Sequence, residues 1–368
     1  MKPTSILGRY LTKQILLNFF AVLFMVLSVV MLFEIVELLR RTSGKYDVSF
    51  WFVLQMAITK MPKTIEMVFP FVMMIAAMAT FWKLSKTNEF VIMRAAGVSI
   101  WGFLLPVLTA TFAVGIINIT LINPVAADMY DMYETLEYRL KTKNPKAVLF
   151  SDQGLWIREA LDEDNIMVLQ AKSLRQEKED LLLRNVTILE MDRRSQPTRR
   201  LEAFIGTLKD GHFELKDVKI YISGQPTETK NSLSYKTSLD ADRIKENFVA
   251  PESISFWDLP DTIKFYETSG FSAIRHRLRY LSLLVSPFLL CSMVLVAAVF
   301  ALRPNNRRGG VMFLIVGGIT TGFIVYFLTQ LVYAFGINGY IPVGLAVSTP
   351  ALIATLISVS LLLHLEDG

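Results

Sequence analysis

Cysteine is almost absent from this 368-residue sequence: Cys291 is the only one, and it lies inside an apolar run. Any part of the chain exposed to an oxidising compartment therefore cannot contain a disulfide and has to be stabilised by its own core. Charged residues are also scarce, at 19%, whereas hydrophobic residues make up 52%. This composition is too apolar for a soluble enzyme of this length, so we expect a membrane protein. The net charge of +5 is modest, and we expect no nucleic-acid partner.

Motifs for catalysis, metal binding and nucleotide binding are missing as well. The three histidines, His212, His276 and His364, are scattered, and none has a second His or Cys at the spacing of a metal site. The sequence contains neither a G-x-x-x-x-G-K-[ST] phosphate-binding loop nor a G-x-S-x-G nucleophile elbow. We therefore predict no catalytic residue, no metal and no cofactor, and we expect that the chain is not an enzyme.

Long apolar runs dominate what is present. A transmembrane helix needs about 20 mostly apolar residues, and six segments approach or meet that length: 15–33, 65–82, 100–122, 280–302, 311–335 and 341–363. The acidic residues Glu34, Glu37 and Glu66 fall near the ends of these segments rather than at their centres. Ion-driven transporters usually hold ionisable groups near the bilayer midplane, so this class of transporter is disfavoured.

Basic residues in the short loops predict how the six segments are oriented. Lys and Arg are enriched in cytoplasmic loops. They cluster before the first segment, between the second and third, and between the fourth and fifth, so both termini are predicted to be cytoplasmic. The cluster of Arg40, Arg41 and Lys45 lies on the other side and is a counter-signal. The residues that carry the prediction are Lys2, Arg9, Lys13, Lys83, Lys86, Arg94, Arg303, Arg307 and Arg308.

The polar stretch between the third and fourth apolar segments is long enough to form a domain. Short alternating runs recur in it, separated by the turn-like segments SDQG, DEDN, RRSQP, KDGH and SGQP. This pattern predicts an antiparallel β-sandwich or barrel, flanked by helices over 125–142 and 257–279. We therefore divide the chain into three transmembrane helices over 1–122, a β domain with its flanking helices over 123–272, and three further transmembrane helices over 273–368. The alternating runs are Val148/Phe150, Ile166/Val168, Val186/Ile188 and Val218/Ile220/Ile222.

A short helix is predicted on the cytoplasmic side within the segment 83–97, KLSKTNEFVIMRAAG. Ser85 and Thr87 are available as N-caps, and Glu89 lies in the first turn, where an acidic residue suits the helix dipole. Gly97 is a suitable end for the helix.

Phe90, Met93 and Arg94 share one face of this helix at helical spacing. An apolar ridge flanked by charge is suited to docking in a groove of another protein, through which energy would reach the membrane helices. The alternative interpretation is an interfacial linker helix with solvated charges. The residues alone leave both interpretations open.

Two basic clusters lie on the outer side of the membrane. One consists of Arg40, Arg41 and Lys45. The other leads into the fourth apolar segment and consists of Arg275, Arg277 and Arg279. Guanidinium groups can hold phosphate through two hydrogen bonds. Equally, such side chains can extend to the head-group layer of the bilayer without a specific ligand.

Three stretches resemble the permeases LptF and LptG of lipopolysaccharide export. They are ILGRYL at 6–11, FPFVMMIAAMATFWKLSKTNEFVIMRAAGVS at 69–99 and SGFSAIRHRLRYLSLLVSPFLL at 269–290. The resemblance covers most of the membrane portion and the order of its parts. Within this family, the first stretch and the pattern WDLPDTIKFYETSGFS at 257–272 look more like the LptG branch.

The resemblance implies six transmembrane helices, an all-β periplasmic jellyroll-like domain, and a location in the bacterial inner membrane. It implies an ABC transporter in which LptF and LptG pair, a cytoplasmic LptB ATPase dimer binds beneath them, and LptC and LptA receive lipopolysaccharide outside. The coupling helix of the family corresponds to 83–97, which places Glu89 where an acidic residue meets the ATPase. The basic residues that face lipopolysaccharide phosphates correspond to Arg40 and Arg41.

The sequence departs from the family pattern at two places. Glu34 stands where relatives can carry a lysine that faces the lipid, and 128–137 lacks the arginines that some relatives place there. An acidic residue at Glu34 would repel a phosphate unless it pairs with a cation or faces elsewhere. The competing functional hypothesis is a membrane scaffold or sensor whose outer β domain binds a ligand without transport.

Overall fold

The chain was analysed as a computed structural model, which describes residues 6–42, 49–141, 147–151, 154–160, 165–177, 180–192, 197–209, 211–222, 226–237, 250–268, 272–302 and 310–367. These residues form two compact units by their contacts. One unit contains the long helices: it extends as far as Tyr133 and also includes Ser255–Leu259 and the chain from Ile274 onwards. The other comprises Glu134–Ile254 and Pro260–Ala273.

Six helical stretches in the described part of the chain are long and apolar enough to cross a membrane, as predicted from the sequence. The third of them consists of α4, a π-helical turn at Asn118–Ile122, and α5. The helices are α1 (Ile6–Thr42), α2 (Phe50–Lys86), α3 (Glu89–Ala95), α4 (Ile100–Ile117), α5 (Asn123–Lys141), α6 (Leu259–Thr268), α7 (Ile274–Ala301), α8 (Gly310–Ile337) and α9 (Val343–Asp367).

The second helix is longer than its apolar run. The sequence predicted a span over 65–82, but α2 begins at Phe50 and continues through Pro62 and Pro70. The charges within this extension do not stop the helix because they find partners: Lys60 pairs with Glu34 of α1. Hydropathy counts each charge as unfavourable and ignores its partner. The predicted start of the second helix was therefore too late in the sequence.

The core of the helical unit lies around α7. In the apolar part of α7, 61% of the residues are buried, against 11% in α1 and 17% in α8. Fully buried side chains such as Phe19, Phe81 and Phe103 fill the space between the helices. Helices α1 and α8 therefore present most of their apolar surface outwards, to lipid or to another protein.

Contacts along the helices define two ends of this unit. Asn18 of α1 donates to Thr80 of α2 at 2.8 Å, and Lys60 of α2 contacts Glu34 of α1, so the two helices are antiparallel. We call the end that carries α3 the Glu89 end. We call the opposite end, where α2 meets the start of α7, the Glu66 end.

The β unit is an antiparallel sheet of seven strands that pair in the order in which they occur in the sequence. The strands are β1 (Ala147–Ser151), β2 (Gly154–Ala160), β3 (Asn165–Glu177), β4 (Asp180–Asp192), β5 (Pro197–Lys209), β6 (His212–Ile222) and β7 (Glu228–Lys236). The predicted fold class, six transmembrane helices with an all-β domain, is confirmed. Because the strands form consecutive hairpins, this domain is jellyroll-like only in a loose sense.

One face of the sheet is apolar and forms the core of this unit. Leu169, Ile188, Leu201 and Phe213 are at most 1% exposed on neighbouring strands, as the alternation in the sequence predicts. Tyr266 of α6 packs against the same core, and its burial raises the pKa of its hydroxyl to about 12. The tyrosine hydroxyl therefore stays neutral in this core.

The predicted flanking helix over 257–279 is wrong as a single element. The structure has two helices there, α6 ending at Thr268 and α7 beginning at Ile274. Gly270 lies between them in the sequence, and glycine is a poor helix former. The predicted helix over 125–142 corresponds to α5.

A close contact between α4 and α7 at Gly115 gives a stability test. A Cβ on Gly115 would lie 2.7 Å from both Cα and Cβ of Pro287, and the backbone there cannot move aside cheaply. We expect Gly115→Ala to destabilise the protein by about 1–3 kcal/mol, as for other overpacked cores. The measurement is the Tm of the protein in lipid nanodiscs.

Gly344→Ala is the matched control, because that glycine is also helical and a Cβ there would meet no atom within 4 Å. Its Tm should be unchanged or slightly raised. Equal melting temperatures for both variants would contradict the packing described for α4 and α7.

Candidate functional site

The α3 helix at the Glu89 end is shorter than predicted and begins differently. Ser85 lies inside α2, and the backbone N–H of Thr87 donates to Lys83 O at 3.0 Å, so Thr87 caps the end of α2. Asn88 then turns the chain with a φ of 57° in the left-handed region. The predicted N-caps are therefore wrong, because both residues belong to the preceding helix and its end.

The end of α3 is as predicted. Gly97 has a φ of +78°, which favours glycine. Its N–H donates to Arg94 O at 2.9 Å, and the N–H of Val98 donates to Met93 O at 3.0 Å. This pair of hydrogen bonds is a Schellman motif, which satisfies the last carbonyls of a helix.

The Glu89 carboxylate is held at the surface by two hydroxyl groups. Thr87 Oγ1 donates to its Oε1 at 2.7 Å, and Tyr10 Oη of α1 donates to the same oxygen at 3.4 Å. The side chain is partly exposed, so it stays available to a partner. Its position is tied to α1 as well as to α3.

Phe90 and Met93 do not form an outward ridge. Each is 8% exposed, and the Phe90 ring lies 6.2 Å from the ring of Phe81 and 5.0 Å from that of Phe103. They pack inwards because α3 has only seven residues and covers the ends of α2 and α4 with its apolar face. The exposed side chains of α3 are instead Val91 and Ile92, each 65% exposed, together with Arg94.

At the Glu66 end, Arg40 and Arg41 share one acidic partner on their own helix. Arg40 Nε and Arg41 Nε donate to the two carboxylate oxygens of Glu37 at 3.0 and 2.8 Å. Both guanidinium groups remain exposed, and Glu37 fixes them side by side at the end of α1. Lys45, the third predicted member of this cluster, lies outside the described residues.

Glu34 faces neither Arg40 nor Arg41. It accepts from Lys60 Nζ of α2 at 2.5 Å, with both side chains largely buried. Lys60 also lies 5.5 Å above the ring of Tyr133, and Lys63 lies 3.7 Å above the ring of Tyr130. Glu34, where the sequence departs from the family pattern, therefore forms an ion pair between the first two long helices and is not a free acidic group.

The second predicted basic cluster is divided by the structure. Arg275 is exposed, whereas Arg279 is largely buried and pairs with Glu66 of α2. Glu66 also accepts from Asn123 Nδ2 at 2.7 Å, and Asn123 Oδ1 accepts from the N–H of Phe256 at 2.8 Å. Arg279 is thus paired with Glu66 inside the protein, and its role in binding phosphate stays a prediction.

Sequence reasoning did not identify Lys60 and Glu66 as members of these networks. The available signal was their position, since ionisable residues within or beside transmembrane segments are usually paired. The sequence gives no distances between helices, so it could not say that Glu66 pairs with Arg279 rather than with a nearer lysine.

Comparison with known proteins assigns the chain to a family. Residues 9–364 match the family described as "Lipopolysaccharide export system permease LptF/LptG". The chain belongs to this family. It is also 25% identical over 365 residues to "Lipopolysaccharide export system permease protein LptG" of Escherichia coli strain K12, an alignment that covers 97% of this chain and 95% of the relative. The protein of the same name from Haemophilus influenzae is 23% identical over 94% of this chain and 95% of its own length.

These matches confirm the resemblance seen in the sequence. The chain is an LptG-type permease with a role in lipopolysaccharide transport, and permeases of this family are not catalytic subunits. Together with the six membrane-spanning helices, they make it a multi-pass inner-membrane protein.

The pair of Glu34 and Lys60 gives a test of the contact between α1 and α2. Glu34→Lys places two cations together in a largely buried site, and we expect a loss of about 1–3 kcal/mol, between the values for exposed and fully buried pairs. Adding Lys60→Glu should recover part of this loss, because it restores an ion pair with the charges exchanged. The recovery should be incomplete, because the exchanged pair lacks the contact of Lys60 with Tyr133. The measurement is Tm in nanodiscs.

Glu37→Gln serves as the control, because its partners are exposed and the change should cost less than about 1 kcal/mol. If the double variant is no more stable than Glu34→Lys alone, the pairing of Glu34 with Lys60 is refuted.

Proposed function

We propose that the permease extracts lipopolysaccharide from the outer leaflet of the inner membrane and passes it to a periplasmic bridge. It works with an LptF paralogue and a separate cytoplasmic LptB ATPase dimer, and LptC and LptA receive the lipid outside. The observation that carries the proposal is family membership over residues 9–364. The helical unit agrees with it, because charged residues lie at both the Glu89 end and the Glu66 end.

In this proposal the Glu89 end and both termini are cytoplasmic, and the β domain is periplasmic. The charge distribution supports this orientation, because Arg9, Lys13, Lys83 and Lys86 lie on the helices near the Glu89 end. Lys and Arg flanking short loops are the residues that set membrane orientation.

The ATPase docks on the exposed surface of α3. Val91 and Ile92 supply apolar area, and Glu89 and Arg94 flank it with opposite charges, which suits a groove in a partner. Phe90 and Met93 lie on the buried face of α3 and anchor it to α2 and α4. Gly97 ends the helix. A displacement of α3 by the ATPase is thereby passed to the long helices.

Lipopolysaccharide is handled near the Glu66 end. The exposed aromatic side chains of α1 and α8, among them Phe20, Phe24, Phe323 and Phe327, supply an apolar wall for acyl chains or for the paralogue. Arg40 and Arg41 hold head-group phosphate, with Arg275 and Lys45 as further cations. Glu37 positions the guanidinium groups without neutralising both of them, because one carboxylate faces two cations.

The coupling role of Glu89 is tested by Glu89→Ala and Glu89→Lys. Both remove the acceptor held by Thr87 and Tyr10, and the second also reverses the charge presented to the ATPase. We expect the ATPase to copurify less, or its lipopolysaccharide-stimulated activity to fall at least tenfold, with the lysine variant more affected. Copurified ATPase and ATP turnover are measured on the complete complex in nanodiscs.

Asp261→Ala is the matched control, because this exposed acidic residue belongs to α6 and not to α3. It should leave both measurements unchanged. Normal ATPase recruitment and turnover in both Glu89 variants would remove Glu89 from the coupling site.

The head-group site is tested by reversing Arg40 and Arg41 together to Glu. Photocrosslinking of lipopolysaccharide to a probe on α1 should fall severalfold, because phosphate would meet three acidic side chains. Glu37→Gln is the informative comparison, since it keeps both cations and releases them from their partner, and it should not reduce crosslinking. Undiminished crosslinking in the Arg40→Glu/Arg41→Glu variant would exclude these residues from the site.

A further inference from the structure

A cavity of about 170 Å³, lined by apolar as well as polar side chains, lies in the helical unit at the Glu66 end. We call it the polar cavity. It is bounded by α2, the π-helical turn, α7 and α8, all of one subunit, so it is distinct from the head-group site proposed at Arg40 and Arg41. Its polar lining consists of Glu66, Asn118, Arg279, Ser282, Ser286, Tyr326, Thr329 and Gln330. Such a concentration of polar groups inside a transmembrane bundle is costly unless they are satisfied.

Two buried polar atoms of this lining have no hydrogen-bond partner among the described residues. They are Asn118 Oδ1, on a residue that is 4% exposed, and Arg279 Nε. Both oxygens of Glu66 are already engaged, one by Asn123 and the other by the Nη2 of Arg279. Arg279 Nε and Asn118 Oδ1 thus give the cavity one charged donor and one acceptor, and the charges of Glu66 and Arg279 cancel. Tyr326 and Gln330 add groups that can donate as well as accept.

The serine and threonine hydroxyl groups of the lining add acceptors rather than donors. Ser282, Ser286 and Thr329 each donate to a carbonyl three or four residues earlier in their own helix, at 2.8, 2.8 and 2.7 Å. Their hydrogens are therefore used, and their oxygens keep free lone pairs. An occupant that complements this lining is uncharged, donates several hydrogen bonds and accepts others, one of them from Arg279. Hydroxyl groups have these properties.

The size and depth of the cavity agree with such an occupant. A water molecule needs about 10–15 Å³ of cavity measured in this way, so 170 Å³ accommodates several, or part of a sugar. Arg279 lies five residues after the start of α7. At about 1.5 Å per residue it is roughly 8 Å from the end of the helix, nearer to the head-group layer than to the bilayer midplane.

We propose that this cavity is a binding site for uncharged hydroxyl groups. They come either from the sugar of a lipid head group or from a cluster of ordered water, and both present the same chemistry to Arg279 and Asn118. The sugar source rests on the proposed function, whereas the water source does not. In either case the bound hydroxyls satisfy polar groups that join α2 to α7 beside α8.

Thiol accessibility tests the proposal, because a thiol reacts as the thiolate, which forms only where water or other polar groups stabilise it. Ser286→Cys is made with Cys291→Ser in the full-length protein, in nanodiscs of phosphatidylcholine, which supplies no hydroxyl groups. We expect a methanethiosulfonate reagent to modify this thiol at least tenfold faster than the control. The control, Ser358→Cys, carries the same change in an apolar cavity of about 230 Å³ between α7, α8 and α9.

Addition of lipopolysaccharide distinguishes the two sources. Slower modification of Ser286→Cys identifies the sugar as the occupant, and an unchanged rate identifies water. Equally slow modification of both cysteines in phosphatidylcholine overturns the proposal, since the cavity would then be dry. Thr329→Cys on the facing helix replaces Ser286→Cys if that variant does not fold. A complex that fails to transport lipopolysaccharide would refute the proposed function without altering these labelling rates.

Discussion

The carboxylate of Glu66 joins three distant parts of the sequence within the helical unit. One oxygen binds Asn123 at the start of α5, which in turn accepts from the N–H of Phe256, and the other binds Arg279 in α7. A charge at this depth is tolerated only when it is paired and hydrogen bonded. The network therefore fixes how α2 meets α7, and it also forms one wall of the polar cavity.

The same requirement accounts for the distribution of charge along the long helices. Glu34 pairs with Lys60 between α1 and α2, and Glu37 holds Arg40 and Arg41 at the end of α1. These groups lie towards the Glu66 end, where we propose that a phosphorylated head group is bound. Mechanical input is proposed at the other end, where the apolar face of α3 is buried against α2 and α4.

Local patterns in the sequence were sufficient for the elements but not for their contacts. Six apolar runs and the alternation in 148–222 predicted the helices and the β domain, because burial in lipid or on one sheet face requires those periodicities. The inward packing of Phe90 and Met93 could not be predicted, since helical spacing defines a face but not its direction. The early start of α2 at Phe50 was missed because it depends on pairing with another helix. Family resemblance supplied the transport role, which no motif for chemistry indicated.

The central proposal is that the permease moves lipopolysaccharide only together with a separate ATPase. Its most direct test is transfer of labelled lipopolysaccharide from proteoliposomes to a soluble acceptor. With the paralogue, the ATPase and ATP all present, transfer should be observed, and it should stop when the ATPase or ATP is omitted. Transfer by the two permeases alone, or no transfer by the complete set, would contradict the account.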